Sequence, residues 1–169
     1  IGLFNQPKKV YIDIDTWKTL PERQLSSGLS ETIKHACLGD AVMFDFLEEK
    51  YGKVRVIEEK NMGNSRADVV AVMDDGVMGI EIKSDADSYA RLSGQVKDYD
   101  RFFDYNSIVV GSTHAMKVSE HVPKHWGIIS VEEIGKNIDF YVIREPEDNP
   151  NMIIRDKLSL LWRPELAHI

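Results

Sequence analysis

Apolar residues recur every second position in some stretches of the chain and every third or fourth in others, and this switching predicts the elements. Val10, Ile12 and Ile14 against Tyr11, Asp13 and Asp15 predict one short strand in an otherwise irregular first thirty residues. From Ser30 to Tyr51 the spacing is helical: Ile33, Ala36 and Cys37, then, after Gly39, Val42, Met43, Phe46 and Leu47. Ser30 suits a helix cap, Asp40 sits where a carboxylate meets the positive end of a helix dipole, and Gly52 supplies a left-handed closing residue. Val54–Glu58 alternates as a strand, Arg66–Met73 is nearly all apolar, and Asp74-Asp75-Gly76 turns the chain into a third strand, Val77–Lys83. A helix follows from about Asp87 to Phe103, with Tyr89, Leu92, Val96, Tyr99 and Phe103 as its apolar stripe.

Further on, Ser107–Val110 reads as a strand and residues 114–122 as a short helix stopped by Pro123. Gly127–Val131 and Ile138–Ile143 are two more strands joined through Gly135-Lys136-Asn137. An acidic, proline-containing loop, Glu145–Pro150, leads to an amphipathic helix at about Met152–Trp162. The order is α-β-β-β-α-β-α-β-β-α, an α/β protein with a mixed sheet flanked by helices and a C-terminal hairpin and helix. Residues 1–38 form an N-terminal extension, 39–144 the domain, and 145–169 a C-terminal linker and helix.

Composition narrows the function classes. The 169 residues carry a formal charge of −7, which argues against a broad basic surface for tight nonspecific nucleic-acid binding. A local basic cleft, or divalent cations at an acidic site, would still admit a phosphodiester. The single cysteine, Cys37, excludes a disulfide framework and a thiolate metal site and suggests the cytoplasm. No apolar run is long enough to span a membrane.

The stretch Ser65–Tyr99 carries the chemistry. Glu81 and Lys83 share one face of the third strand, with Ile80 and Ile82 on the other. Asp68 joins them only if strand pairing sets it level with Glu81 or Lys83; a shift of one residue scatters the three. Two carboxylates and a backbone carbonyl, that of Ile82, suit a hard cation such as Mg²⁺ or Mn²⁺. A lysine beside them can orient the attacking water or stabilise developing negative charge. Gln95 and Tyr99, four apart, share a helix face, and Arg91 lies one turn before Gln95, where it could contact a nucleic-acid backbone.

These residues resemble the PD-(D/E)XK nuclease superfamily, which includes restriction enzymes, RecB-type nucleases and Holliday-junction resolvases. The match reads Arg66-Ala67-Asp68, twelve intervening residues, Glu81-Ile82-Lys83, then Gln95-Val96-Lys97-Asp98-Tyr99, whose Gln-xxx-Tyr spacing is like that of the RecB branch. The resemblance covers about residues 39–131 and implies a restriction-endonuclease-like α-β-β-β-α-β core. It further implies a Mg²⁺- or Mn²⁺-dependent deoxyribonuclease in which Asp68, Glu81 and the Ile82 carbonyl hold metal and Lys83 and Gln95 assist catalysis. Arg66, Arg91, Gln95 and Tyr99 would then face the nucleic acid. Asp40 stands where family members carry a helix glutamate, and is one methylene shorter; Ala67 replaces the proline that names the motif. DNA is the expected partner, with RNA and a second subunit left open.

The competing reading is a binding module that keeps the nuclease fold without turnover. His121 and His125 have the spacing of a helical zinc pair, but Pro123 separates them and no third ligand is evident. His114 is read as a polar residue at a helix start, and Asp13 and Asp15 as solvated. Trp126, Trp162 and Leu158, Leu160 and Leu161 are read as packing residues.

Overall fold

The computed structural model describes residues 9, 11, 14–21, 42–84, 87–112, 114–115, 117–134 and 137–160. Six strands form one mixed sheet in chain order: β1 (Arg55–Met62), β2 (Ser65–Val72), β3 (Val77–Lys83), β4 (Tyr105–Gly111), β5 (Gly127–Ile134) and β6 (Asn137–Arg144). The pairs β1–β2, β2–β3 and β5–β6 are antiparallel, whereas β3–β4 and β4–β5 are parallel. Helix α1 (Val42–Tyr51) precedes the sheet, α2 (Leu92–Phe102) crosses between β3 and β4, and α3 (Ile154–Leu158) follows β6. The described residues are therefore α/β with a six-stranded mixed sheet.

Alternation along the central strands sorts the core into two layers. Met43 and Leu47 of α1 pack with Val69, Ala71, Met78, Ile80, Ile82, Val109 and Ile129. Leu92, Val96, Tyr99 and Phe102 of α2 pack with Val70, Ile108, Val110, Trp126 and Ile128 on the opposite face. Each large apolar side chain buried this way contributes roughly 1.5–3 kcal/mol. Glycine at position 79 lets α2 approach β3: a Cβ there would lie 2.2 Å from Phe103 Cδ2 and 2.7 Å from Tyr99 Cδ1.

Two turns set the register. Gly63, at φ 52, occupies the first central position of the two-residue β1–β2 turn, the place where a type II′ turn requires glycine. In the β2–β3 loop, Met73 N–H donates to Gly76 O at 2.9 Å. Asp104 secures the start of β3, accepting from Val77 N–H at 2.7 Å and donating its own N–H to Val77 O at 2.9 Å. One irregularity interrupts β1: Glu59 adopts φ 52, and Ile57 and Met62, an odd five residues apart, pack on the same layer. The alternation thus slips by one at Glu59, level with Asp68 on β2.

Several expected elements differ. Tyr11 is not in a strand and Ile14–Thr19 form a 3₁₀ segment, where a strand over Val10–Asp15 was expected. β1 runs on to Met62; its polar residues Glu58, Glu59 and Lys60 belong to an edge strand whose outer side is solvated, so apolar alternation understates it. The helix expected over 114–122 reduces to a 3₁₀ turn, Val118–Glu120. Among the described residues the last helix is α3, five residues long, with Leu158 exposed rather than packed; Leu160 is partly buried against the core. The helical stretch expected over 30–41, with Asp40 in it, and Trp162 lie outside the described residues.

The segment after β6 is tied to the far side of α2. Asn149 donates to the carbonyls of Asp100 and Phe103 at 2.8 and 2.7 Å, and Arg101–Asp156 and Lys157–Asp104 pair across α2 and α3. Buried Asp100 accepts from Trp126 Nε1 at 2.7 Å and Asn106 Nδ2 at 3.2 Å. His125 Nε2 lies 3.0 Å from the same oxygen, so this histidine serves the fold. His121 stacks on Tyr89 with ring centroids 4.4 Å apart.

Candidate active site

The β2–β3 ladder runs through Val72↔Val77, Ala71↔Met78, Val70↔Gly79 and Val69↔Ile80, and there it ends. The next pair in that register would be Asp68 with Glu81, so the parity that a common site requires is kept. Where the strands part, Asp68 Oδ2 accepts the Ile82 N–H at 2.8 Å. Within a strand, one residue's N–H and C=O point to the same side. The Ile82 carbonyl is therefore turned towards the gap that β2 has left, and away from β4.

Glu81 is 1% exposed and gathers three donors. Oε1 accepts from Gln95 Nε2 at 2.6 Å and pairs with Lys83 Nζ at 2.7 Å, and Oε2 accepts from Tyr99 Oη at 2.8 Å. The one-turn spacing of Gln95 and Tyr99 on α2 brings both onto this carboxylate. Tyr99 Oη also accepts the Asp68 N–H at 3.2 Å and lies 3.1 Å from the Ile80 carbonyl, so its single proton serves either Ile80 or Glu81. The hydroxyl thus links the two carboxylate-bearing strands.

Burial raises the Glu81 carboxyl above the usual carboxylate range, the charge of Asp68 adds to this, and Lys83 and the Tyr99 hydrogen bond oppose it. Burial, and then the charges of Glu81 and Asp68, push the Tyr99 hydroxyl well above its ordinary value, so it keeps its proton as a donor. Ser84 and Asp87 close the loop after Lys83: the Ser84 N–H and Oγ both donate to Asp87 Oδ2, at 2.9 and 3.1 Å.

A groove of about 800 Å³ opens over these groups. Asp68, Glu81 and Lys83 line it, Asn64, Ser65 and Arg66 come from the β1–β2 turn and β2, and the far wall is Asp87, Ala90 and Arg91 just before α2 with Ser93 to Gln95, Lys97 and Asp98 on it. Asp98 accepts from Ser65 Oγ and thereby pins that turn to α2.

Asp68, Glu81, Lys83, Gln95 and the Ile82 backbone are thus brought together, with Arg66 and Arg91 on the rim. Tyr99 was expected to face nucleic acid; it is fully buried and touches Glu81 instead, because it lies in the apolar stripe. Asp40 lies outside the described residues. Lys97 and Asp98 escaped sequence reasoning because neither belongs to the stripe nor to the Gln-xxx-Tyr pair. Their signal was their position between Gln95 and Tyr99, inside that motif.

The donor set suits a hard cation: two carboxylates, a turned carbonyl, and the Gln95 Oε1 atom, which is buried with no hydrogen-bond partner among the described residues. Among the described residues no three His, Cys, Asp or Glu side chains cluster tightly enough to hold a metal by themselves. A cation here would lean on main-chain oxygen and solvent for its other ligands.

A family model described as Bacteriophage P4 protein cII matches residues 32–169, which include every candidate site residue. The chain belongs to the bacteriophage P4 protein cII family. Curated relatives carry a different description. A 3-dehydroquinate synthase of Prochlorococcus marinus (strain AS9601) is 30% identical over 174 residues, covering 95% of this chain and 46% of that protein. A second, of Neisseria meningitidis (strain MC58), is 30% identical over 132 residues, covering 73% of this chain and 36% of that protein. The chain therefore spans about half the length, or less, of the curated relatives it matches. Among solved structures, that of Pyrococcus furiosus SfsA in complex with Ca²⁺ aligns with a TM-score of 0.41 at 16% identity, over 69% of this chain and 64% of that one. At that distance the likeness has no bearing on the site.

Proposed function

We propose that this chain is a divalent-metal-dependent nuclease of the PD-(D/E)XK type, hydrolysing phosphodiester bonds of DNA. The observation that carries the reading is the meeting of Asp68, Glu81 and Lys83 on one face where β2 and β3 diverge, at the floor of an open groove. The order α1-β1-β2-β3-α2-β4 agrees with the core that such enzymes share.

Asp68, Glu81 and the Ile82 carbonyl would hold Mg²⁺ or Mn²⁺. When bound, such an ion acidifies a water and neutralises charge on the phosphate. Lys83, held beside Glu81, orients the attacking water and stabilises charge that develops on the phosphoryl oxygens. Gln95 and Tyr99 fix the Glu81 carboxylate by donating to opposite oxygens, which keeps its geometry set before the substrate arrives.

The test is hydrolysis of duplex, single-stranded and branched DNA with and without Mg²⁺. Cleavage that needs the cation and disappears in folded Asp68→Ala, Glu81→Ala and Lys83→Ala proteins supports the assignment; cleavage surviving all three sinks it. A second reading, a binding module without turnover, draws on one observation: Glu81 Oε1 already holds two donors, including an ammonium. Calorimetric titration with Mn²⁺ separates the two, since the module requires no cation.

A further inference from the structure

We infer that the stretch from Arg91, which ends the 3₁₀ turn Tyr89–Arg91 just before α2, across Gly94 to Lys97 on α2 is a strip that binds the sugar-phosphate backbone of duplex DNA and reads no base. The polymer's identity rests on the nuclease reading above; the strip itself rests on what lines the groove. Its lining holds four carboxylates, deep or pinned like Glu81 and Asp98, against four cations, of which Arg91, Lys97 and Arg66, the last in a surface pair with Glu59 at 3.1 Å, are exposed. In a chain of net charge −7, those cations mark where a polyanion can approach.

Arg91 and Lys97 are six residues apart, about 9 Å along a helix axis. Along the duplex axis the phosphates of one strand advance about 3.4 Å per nucleotide, so a duplex lying parallel to the helix would set the two side chains roughly two to three steps apart. Between them Gly94 leaves the helix surface flat: a Cβ there would meet nothing within 4 Å. Glycine inside a helix costs about 1 kcal/mol relative to alanine, and no neighbour among the described residues demands it. The bare position lets a backbone lie close against the helix.

Among the described residues that line the groove none is aromatic. Proteins that grip single strands gain about 1–3 kcal/mol per base from stacking, and this groove offers no such platform. A duplex keeps its own stacking and presents only phosphates, which is what the strip can hold.

The test uses the full chain carrying Asp68→Asn, kept free of divalent cation so that cleavage does not compete with binding, and fluorescence anisotropy with a labelled 20-base-pair duplex and with one of its strands alone. Duplex should bind several-fold more tightly than the strand, equally for two unrelated sequences. Its affinity should fall with salt at a logarithmic slope of about −3 for three phosphate contacts. Lys97→Ala and Arg91→Ala should each weaken binding by about three- to tenfold and reduce that slope by about 1. Gly94→Leu, which enters open space, should leave the melting temperature unchanged or raise it while weakening duplex binding by a similar factor.

Equal or tighter binding of the single strand, a sequence preference, no binding at all, or affinities unmoved by the α2 variants would each overturn the inference. Wild type with Mg²⁺ on the same duplex keeps the two readings apart. Binding through the strip without cleavage removes the nuclease, and cleavage indifferent to Arg91, Gly94 and Lys97 removes the strip.

Discussion

Replacing Lys83 with methionine keeps the aliphatic stem and removes the ammonium from a pair whose side chains are 7% and 1% exposed. Glu81 would keep Gln95 and Tyr99 as donors but lose its only close positive charge among the described residues. Breaking a buried ion pair from one side costs about 3–5 kcal/mol. For a chain of this size that is a fall in melting temperature of roughly 6–20 °C. The pH dependence has a definite sign. Burial and Asp68 already raise the folded-state pKa of Glu81, and Lys83→Met removes an influence that lowers it. The penalty is then absent well below the unfolded-state value, grows as pH rises, and is complete above the folded-state value. Urea unfolding of the variant should therefore show stability recovered on acidification. Mn²⁺ should recover it too, by about 2.7 kcal/mol at a hundredfold excess over Kd, and by more than in wild type, where the lysine competes for Glu81. A loss under about 1 kcal/mol, with no greater Mn²⁺ effect than in wild type, would refute the reasoning.

Asp68→Asn can still accept the Ile82 N–H and relieves repulsion with Glu81, so its stability should stay within about 1 kcal/mol of wild type, while calorimetry shows Mn²⁺ binding lost. Gly79→Ala forces a methyl into Phe103 and Tyr99; urea unfolding should register a loss of about 1–3 kcal/mol or more, accompanied by weaker Mn²⁺ binding as Tyr99 is displaced from Glu81. Trp126→Phe deprives buried Asp100 of a donor at 2.7 Å and should cost about 1–3 kcal/mol in urea unfolding.

What could be read from the sequence was what local pattern dictates. The bounds of β3, the α2 stripe and the closure of α1 at Gly52, with φ 78 and its N–H on the Glu48 carbonyl at 3.0 Å, all follow from neighbours in the chain. The site residues on those elements were legible for the same reason. Whether Asp68 faces Glu81 was not, because the answer depends on a register held by Asp104, twenty-seven residues beyond Val77, and on where the ladder ends. Edge strand β1 was misjudged in length because solvent covers one side of it. Residues 114–122 carry Ala115, Val118 and Val122 at helical spacing, yet among the described ones only Val118–Glu120 is helical, between β4 and β5, with that stripe on the core. The long final helix was overestimated because α3 is fastened by ion pairs at Asp156 and Lys157 rather than by an apolar face.

The central claim is tested most directly by single-turnover cleavage of an end-labelled duplex as Mg²⁺ is titrated, for wild type and Asp68→Asn side by side. The account predicts a wild-type rate that is negligible without Mg²⁺ and saturates with it. In the variant it predicts a rate lower by about 10²–10³-fold, the equivalent of roughly 3–4 kcal/mol of transition-state stabilisation. Cleavage independent of the cation, equal rates in the two proteins, or no cleavage by wild type at saturating Mg²⁺ would contradict it.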